Sequence, residues 1–108
     1  MTTLPLSGIR VLDLTWWIAG PLATTQMAMM GAEVIRLESG RRSDSMRVTT
    51  PFANGQQGIN RSGRWNSHNY SKLSAALDLG KPEGTELARR LAAKSDVVFE
   101  NFSAGVLE

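Results

Sequence analysis

Leu6-Ser7-Gly8-Ile9-Arg10-Val11-Leu12-Asp13-Leu14-Thr15 is followed by Trp16-Trp17-Ile18-Ala19-Gly20-Pro21, and then, past Met30, by Gly31-Ala32-Glu33-Val34-Ile35-Arg36-Leu37-Glu38. Ile9, Val11, Leu12 and Leu14 form a short apolar run of strand length that stops at Thr15. Ala19-Gly20-Pro21 suits a helix start, with proline in the first turn, and the helical segment is predicted through Met30. Gly31-Ala32 breaks it, and Val34-Ile35-Arg36-Leu37 reads as a second strand closed by Glu38. A strand, a helix and a strand with almost no slack predict an α/β fold built on a parallel sheet with flanking helices. Ligands of such sheets lie outside the carboxyl ends of the strands, so function is expected in the loops after Leu14, after Leu37 and after later strands.

Beyond Glu38 the pattern changes. Ser39 to Ser67 is rich in Gly, Ser, Arg and Asn, carries Pro51, and shows little periodicity. A loop of that length in a compact domain is either functional or disordered. Ala75-Ala76-Leu77-Asp78-Leu79 reads as a third strand. Lys81-Pro82-Glu83-Gly84 opens a second helix, with Pro82 in its first turn and Glu83 at the positive end of its dipole. Leu87, Leu91 and Ala92, flanked by Ala88, give that helix an apolar stripe, while Arg89, Arg90 and Lys94 face water. Gly84 is expected to weaken its first turn by up to about 1 kcal/mol relative to Ala. Val97-Val98-Phe99 forms a fourth strand running into Glu100-Asn101-Phe102.

Composition narrows the function. The chain has 108 residues, a net charge of +2 and 42% hydrophobic residues, the balance of one small globular domain. Arg41, Arg42 and Arg47 cluster without interleaved aromatics, so no nucleic-acid partner is expected. There is no cysteine, which removes disulfides, thiolate metal sites and cysteine nucleophiles and suits a cytoplasmic protein. Met1 to Pro5 lacks signal-peptide regions, and no apolar run reaches the ~20 residues that span a bilayer, so no membrane association is expected.

The candidate chemistry is sparse. The turn Thr15 to Pro21 lacks the spaced glycines of a dinucleotide fingerprint, and there is no P-loop. The first amides of the helix at Ala19 are suited to an anionic group, the plain helix start being the alternative. His68, the single histidine, reads as a solvated side chain, and no metal site is expected. Of Trp16 and Trp17, one is expected in the core and the other against a flat ligand such as adenine. Asp13, inside an apolar strand, is expected to anchor the turn that follows it, with catalysis as the alternative. Glu38, Asp78 and Glu100 stand at strand ends, where carboxylates either bind ribose hydroxyls or cap neighbouring backbone. Met27, Met29 and Met30 read as core filler.

Several of these segments together resemble the family III CoA-transferases, which include formyl-CoA, carnitine and aryl-succinate CoA-transferases and the related α-methylacyl-CoA racemases. The resemblance rests on the two opening segments and, in order, on Asp44-Ser45-Met46-Arg47, Asn69-Tyr70-Ser71-Lys72-Leu73-Ser74, Leu77-Asp78-Leu79, Pro82-Glu83-Gly84 and Glu100-Asn101-Phe102-Ser103-Ala104-Gly105-Val106-Leu107. It implies that residues 1–108 are the N-terminal CoA-binding part of a Rossmann-like CoA-transferase domain, an incomplete fold truncated at its carboxyl-terminal end. It places CoA contacts at Ile18, Ala19, Ser39, Leu77, Asp78, Leu79, Gly80, Asn101, Phe102 and Ser103. Each of these follows a strand.

The implied activity is acyl-CoA:carboxylate CoA transfer, with coenzyme A entering as a thioester substrate and no separate cofactor. A carboxylate attacks the thioester to give a mixed anhydride and then an enzyme-bound CoA thioester, which passes CoA to the acceptor acid. The resemblance puts that aspartate beyond Glu108, so this stretch supplies no catalytic residue and is expected to be inactive alone. The alternatives are an α-methylacyl-CoA racemase, which exchanges an α-proton between a base and an acid, and a non-catalytic CoA-binding subunit. The implied partners are an acyl-CoA, a carboxylic acid acceptor, and a second copy in an interlocked homodimer or a different subunit of a two-subunit enzyme. Three positions depart from family patterns: Ser39 stands where some relatives are basic, with Arg41 or Arg42 as substitutes; Ile18 stands where some transferases have glutamine; Leu73 replaces an arginine. Gly58 to Arg64 is closer to the aryl-succinate type, a pointer to a dicarboxylic or aromatic acid.

Overall fold

A computed structural model describes residues 3–107. Its frame is a four-stranded sheet in the order β3-β2-β1-β4, every pair parallel. The strands are β1 (Arg10–Asp13), β2 (Glu33–Glu38), β3 (Leu73–Ala76) and β4 (Val97–Phe99). Helix α1 (Ala19–Met29) joins β1 to β2, the short α2 (Gly63–Ser67) lies between β2 and β3, and α3 (Pro82–Ala92) carries the chain from β3 across to β4.

Register explains how one sheet face changes character along its length. Val11 pairs with Val34 and with Val97, and two residues on, Asp13 pairs with Arg36 and with Phe99. Residues two apart share a face. The face is therefore apolar at the amino end, where Val11, Ala32 and Val34 form a buried cluster packed by Ile9, Met27, Ala28 and Val97. It becomes ionic at the carboxyl end, where Asp13 and Arg36 are both fully buried.

The strand-helix-strand opening lies where the apolar runs put it, with Met30 as the C-cap of α1. Three readings change. The third strand is Leu73–Ala76 rather than the run from Ala75 to Leu79. Glu38 is the last residue of β2 with a strand partner, and its carbonyl accepts from Leu77 N–H at 3.1 Å, so Leu77 to Gly80 leaves the sheet with no strand beside it. Met29 and Met30 are half exposed, at 51% and 49%, and are not core filler; the buried methionine is Met46, at 0%. Ser39 to Ser67 is a folded segment with 3-10 turns at Ser45–Val48 and Ala53–Gly55, then α2 capped by the Ser62 hydroxyl accepting from Trp65 N–H.

Gly84 and Gly20 permit close approach at the carboxyl end of the sheet. At Gly84 a Cβ would collide with the carbonyl oxygen of Asp78, so the residue that weakens the first turn of α3 is also what lets that turn close on Leu77 to Gly80. At Gly20 a Cβ would collide with the Thr15 side chain, which seats α1 against the end of β1. Among the described residues no helix is long and apolar enough to cross a membrane.

Candidate functional site

The loops at the carboxyl ends of the strands enclose a groove of about 870 Å³. Its walls are Leu14 and Trp16 after β1, Leu37, Glu38 and Ser39 at the end of β2, Leu77 to Gly80 after β3, and Phe102, Ser103, Val106 and Leu107 after β4. Arg41 and Arg42 stand on its lining as well. The Trp16 ring meets Phe102 edge-on at 5.8 Å between centroids, and the Arg42 guanidinium lies 5.6 Å from the Trp16 centroid. A mostly apolar trough with guanidinium groups beside an aromatic face suits a ligand that combines a flat ring with negative charge.

Behind the groove lies a buried ionic network, and Asp13 is its hub. The Asp13 carboxylate accepts from Thr15 N–H at 2.9 Å, from the Thr15 and Thr24 hydroxyls, and from Lys72 Nζ at 2.9 Å. Arg36 Nη1 lies 3.6 Å from it, and Arg36 Nη2 donates to Asp44 at 2.7 Å. Lys72 Nζ also reaches the Pro21 carbonyl at 3.0 Å, the His68 carbonyl at 3.2 Å and Asn69 Oδ1 at 3.0 Å. Burial pushes the Asp13 carboxyl up, but the Lys72 charge and the hydroxyl hydrogen bonds outweigh it and hold the group below its ordinary value. Burial pulls the Lys72 ammonium below its ordinary value, and the Asp13 charge restores only part of that.

This network shapes the turn from β1 into α1. Asp44 accepts from Met46 N–H at 2.9 Å, capping its own 3-10 turn, and from Trp17 N–H at 3.2 Å. Trp17 has φ 68°, a left-handed conformation uncommon for a bulky residue, held by that bond. Asn101 holds the preceding residue, accepting from Trp16 N–H and donating to Trp16 O, both at 2.9 Å. No side chain caps α1 at Ile18.

Seven of the ten positions that the resemblance marks for CoA line this groove: Ser39, Leu77, Asp78, Leu79, Gly80, Phe102 and Ser103. Ile18 and Ala19 lie beyond its lining, exposed at the start of α1, and Asn101, also exposed, hydrogen-bonds the Trp16 backbone. The strand-end carboxylates serve local structure. Glu38 accepts from Asp44 N–H at 2.9 Å and pairs with Arg47 at 2.6 Å, Asp78 accepts from Gly80 N–H, and Glu100 accepts from Phe102 N–H. Asp13 anchors its turn as expected. Trp16 is half buried against the groove and Trp17 is 43% exposed, so neither occupies the core. His68 Nδ1 contacts the Arg64 carbonyl at 2.9 Å at the end of α2, while its backbone carbonyl receives Thr25 and Lys72.

Sequence reading missed Arg36, Asp44, Arg47 and Lys72 as a set. The available signal was Arg36 itself, a charge inside an apolar run one strand over from the charge of Asp13, in the pattern of a buried pair.

The comparisons agree with this geometry. A family model described as CoA-transferase family III matches residues 6–108. The succinate–glutarate CoA-transferase of Agrobacterium fabrum is 44% identical over 100 residues, covering 91% of this chain and 25% of that protein. The succinyl-CoA–L-malate CoA-transferase beta subunit of Chloroflexus aurantiacus is 41% identical over 108 residues, covering 99% of this chain and 25% of that one. The chain thus spans about a quarter of the length of the curated relatives it matches. A crystal structure of a CAIB/BAIF family protein from Brucella suis superposes with a TM-score of 0.85 at 35% identity, over 98% of this chain and 28% of that one. A family match over residues 6–108, and a backbone that superposes over nearly the whole chain, identify this chain as a member of the CoA-transferase family III.

Proposed function

We propose that the strand-end groove holds the coenzyme A moiety of an acyl-CoA, in an enzyme that moves CoA between carboxylic acids. The observation that carries this reading is the groove's lining: leucines and two aromatic rings, with Arg41 and Arg42 beside them. Adenine is a flat ring that packs on such surfaces, and CoA phosphates are the anions that guanidinium groups attract. Ser39, Leu77 to Gly80, Phe102 and Ser103 contact CoA in this reading, and Ile18 and Ala19 stand at the adjoining helix start. Arg42, already held over Trp16, takes the basic role that Ser39 cannot. CoA acts as a substrate, and no further cofactor is invoked.

Similar proteins are named for succinyl-CoA with malate, glutarate or mesaconate, so a short dicarboxylic acid is the favoured acceptor class. Asp13, Glu38 and Asp44 are committed to buried or half-buried ion pairs, so the attacking carboxylate of the proposed chemistry is not one of these. The partner is a second chain. Relatives in Chloroflexus are named alpha and beta subunits, which favours a two-subunit arrangement as the alternative to a homodimer.

Calorimetric titration of the protein with CoA tests the reading. CoA is expected to bind, with affinity falling as salt rises, and Arg42→Ala is expected to weaken it about fivefold to tenfold, as loss of one charged contact does. Absence of CoA binding by the folded protein would overturn it.

A further inference from the structure

Trp17 is the one large side chain in a left-handed backbone conformation among the described residues. Its φ is 68°, and the other residues of this kind apart from glycines, Asn54 and Ser71, are small and polar. The Cβ of a bulky L residue crowds the carbonyl oxygen there, so the conformation persists only where the surroundings hold it. The holder is Asp44. Its two carboxylate oxygens lie 3.3 Å and 3.2 Å from the Trp17 N–H donor, and they accept in turn from Arg36 Nη2 at 2.7 Å and Met46 N–H at 2.9 Å. Asp44 is 0% exposed and Arg36 is 2% exposed, so water does not compete for these bonds.

Asp44 also closes the loop before it. Its backbone N–H donates to Glu38 Oε2 at 2.9 Å, so residues 39–43 form a short excursion from the end of β2. That loop puts Ser39, Arg41 and Arg42 on the groove. On the β1 side, Trp17 stands between Trp16, whose ring lines the groove, and Ile18 and Ala19 at the start of α1. One buried carboxylate therefore links the arginine loop to the turn into α1. We propose that Asp44 is a positioning residue for the ligand. By holding Trp17 left-handed it sets the angle at which the chain passes from the Trp16 wall into α1, and so where Ile18 and Ala19 meet bound CoA. Full burial keeps the carboxylate itself off the ligand. This rests on the CoA reading of the groove.

A pair of double-mutant cycles tests it, with calorimetric titration of CoA as the readout. Asp44→Asn keeps the shape of the side chain but replaces one acceptor oxygen by a donor and removes the charge that faces Arg36. It is made in two backgrounds, Trp17→Ala and Trp17→Gly. Both lack the indole, so any contact of that ring with CoA cancels. They differ in backbone preference, since glycine adopts the left-handed region freely and alanine resists it. Asp44→Asn is expected to weaken CoA about fivefold to tenfold in Trp17→Ala, and by less than about twofold in Trp17→Gly. Linkage requires the reverse effect as well: a tie that favours CoA must be favoured by CoA. In the unmutated protein, hydrogen exchange at the Trp17 amide is expected to slow about fivefold at saturating CoA, a readout that stands even if Asp44→Asn fails to fold.

Equal losses in the two backgrounds would mean that Asp44 acts on the ligand otherwise than through the backbone of residue 17, and would overturn the inference. A Trp17 amide that exchanges at the same rate with and without bound CoA would overturn it too. Failure of the unmutated protein to bind CoA would instead sink the groove's proposed function, and the positioning of CoA with it. A Trp17 amide still protected in that protein would place the error in the reading of the groove rather than in the tie.

Discussion

The two strand-helix-strand units of this sheet are held by different physics. The first, with the segment that follows it, buries Asp13, Thr15, Thr24, Thr25, Arg36 and Asp44 in one polar network beside an apolar cluster. In the second, from Leu73 onward, Gly84 is the only described residue that is buried, while Leu87 and Val98 are 45% and 46% exposed. The groove lies across both, so its β1 and β2 walls are rigidly backed and its β3 and β4 walls rest on thinner support. The difference teaches that the apolar stripe of α3 measures capacity for packing rather than packing achieved. The stripe is present and Ala88, Leu91 and Ala92 are half-buried on it, yet Leu87 keeps 45% of its surface exposed.

The largest expected effect comes from breaking the first unit at its hub. Asp13→Ala leaves Lys72 and Arg36 buried without their shared carboxylate, and removing one partner of such a pair costs about 3–5 kcal/mol. Denaturant unfolding checks this, with Leu87→Ala as the contrast in the second unit, expected within about 0.5 kcal/mol of the unmutated protein. An equal loss from both would erase the distinction.

The same carboxylate sets the acid limb. Its pKa is lowered in the fold, so the stability it adds is fully present above the ordinary carboxylate range near ~4 and is lost as pH falls through the folded value. Thermal melts from pH 7 downward are expected to drop there, and the drop is expected to shrink in Asp13→Asn.

Gly84→Ala probes the second unit at its one tight contact. Its Cβ must push against the Asp78 backbone, an overpacking worth about 1–3 kcal/mol. Hydrogen exchange is expected to quicken through α3 and Leu77 to Gly80 while β1 and β2 keep their protection. Quickening throughout would mean that the two units open together, which would weaken the contrast.

The smallest effect belongs to the ion pair between Arg10 and Glu33 at the opposite end of the sheet. Both side chains are substantially exposed, at 40% and 45%, so Glu33→Gln is expected to change stability by less than about 1 kcal/mol, and less still in high salt. A larger loss would show that charge pairing matters as much at the rim as beneath the groove.

Much of the frame was legible because it is written in local patterns. β1, α1, β2, α3 and β4 each follow from a short apolar run or a helix start, and their order predicts the parallel sheet and the strand-end site. β3 slipped because Ala75 to Leu79 alternates well enough for a strand, while its actual extent was set by where β2 ran out of partners. Met29 and Met30 were misplaced for a similar reason, while Met27 packs on the core as expected. A helix without a charged residue offers no polar face to orient it, and here Thr24 and Thr25 turn inward because Asp13 and the His68 carbonyl receive them.

By itself, the sequence determined β1, α1, β2, α3 and β4 and their order, and its resemblance to a known family marked the loops that are proposed to meet CoA. Only the tertiary structure decided which charges are buried together, that Lys72 reaches Asp13 across 59 residues, and that Asn101 closes on Trp16. The physical reason is range. Strand and helix preferences are settled by neighbours a few residues apart, whereas a buried charge or an amide clamp takes its meaning from whichever group the packed chain carries to within hydrogen-bond distance.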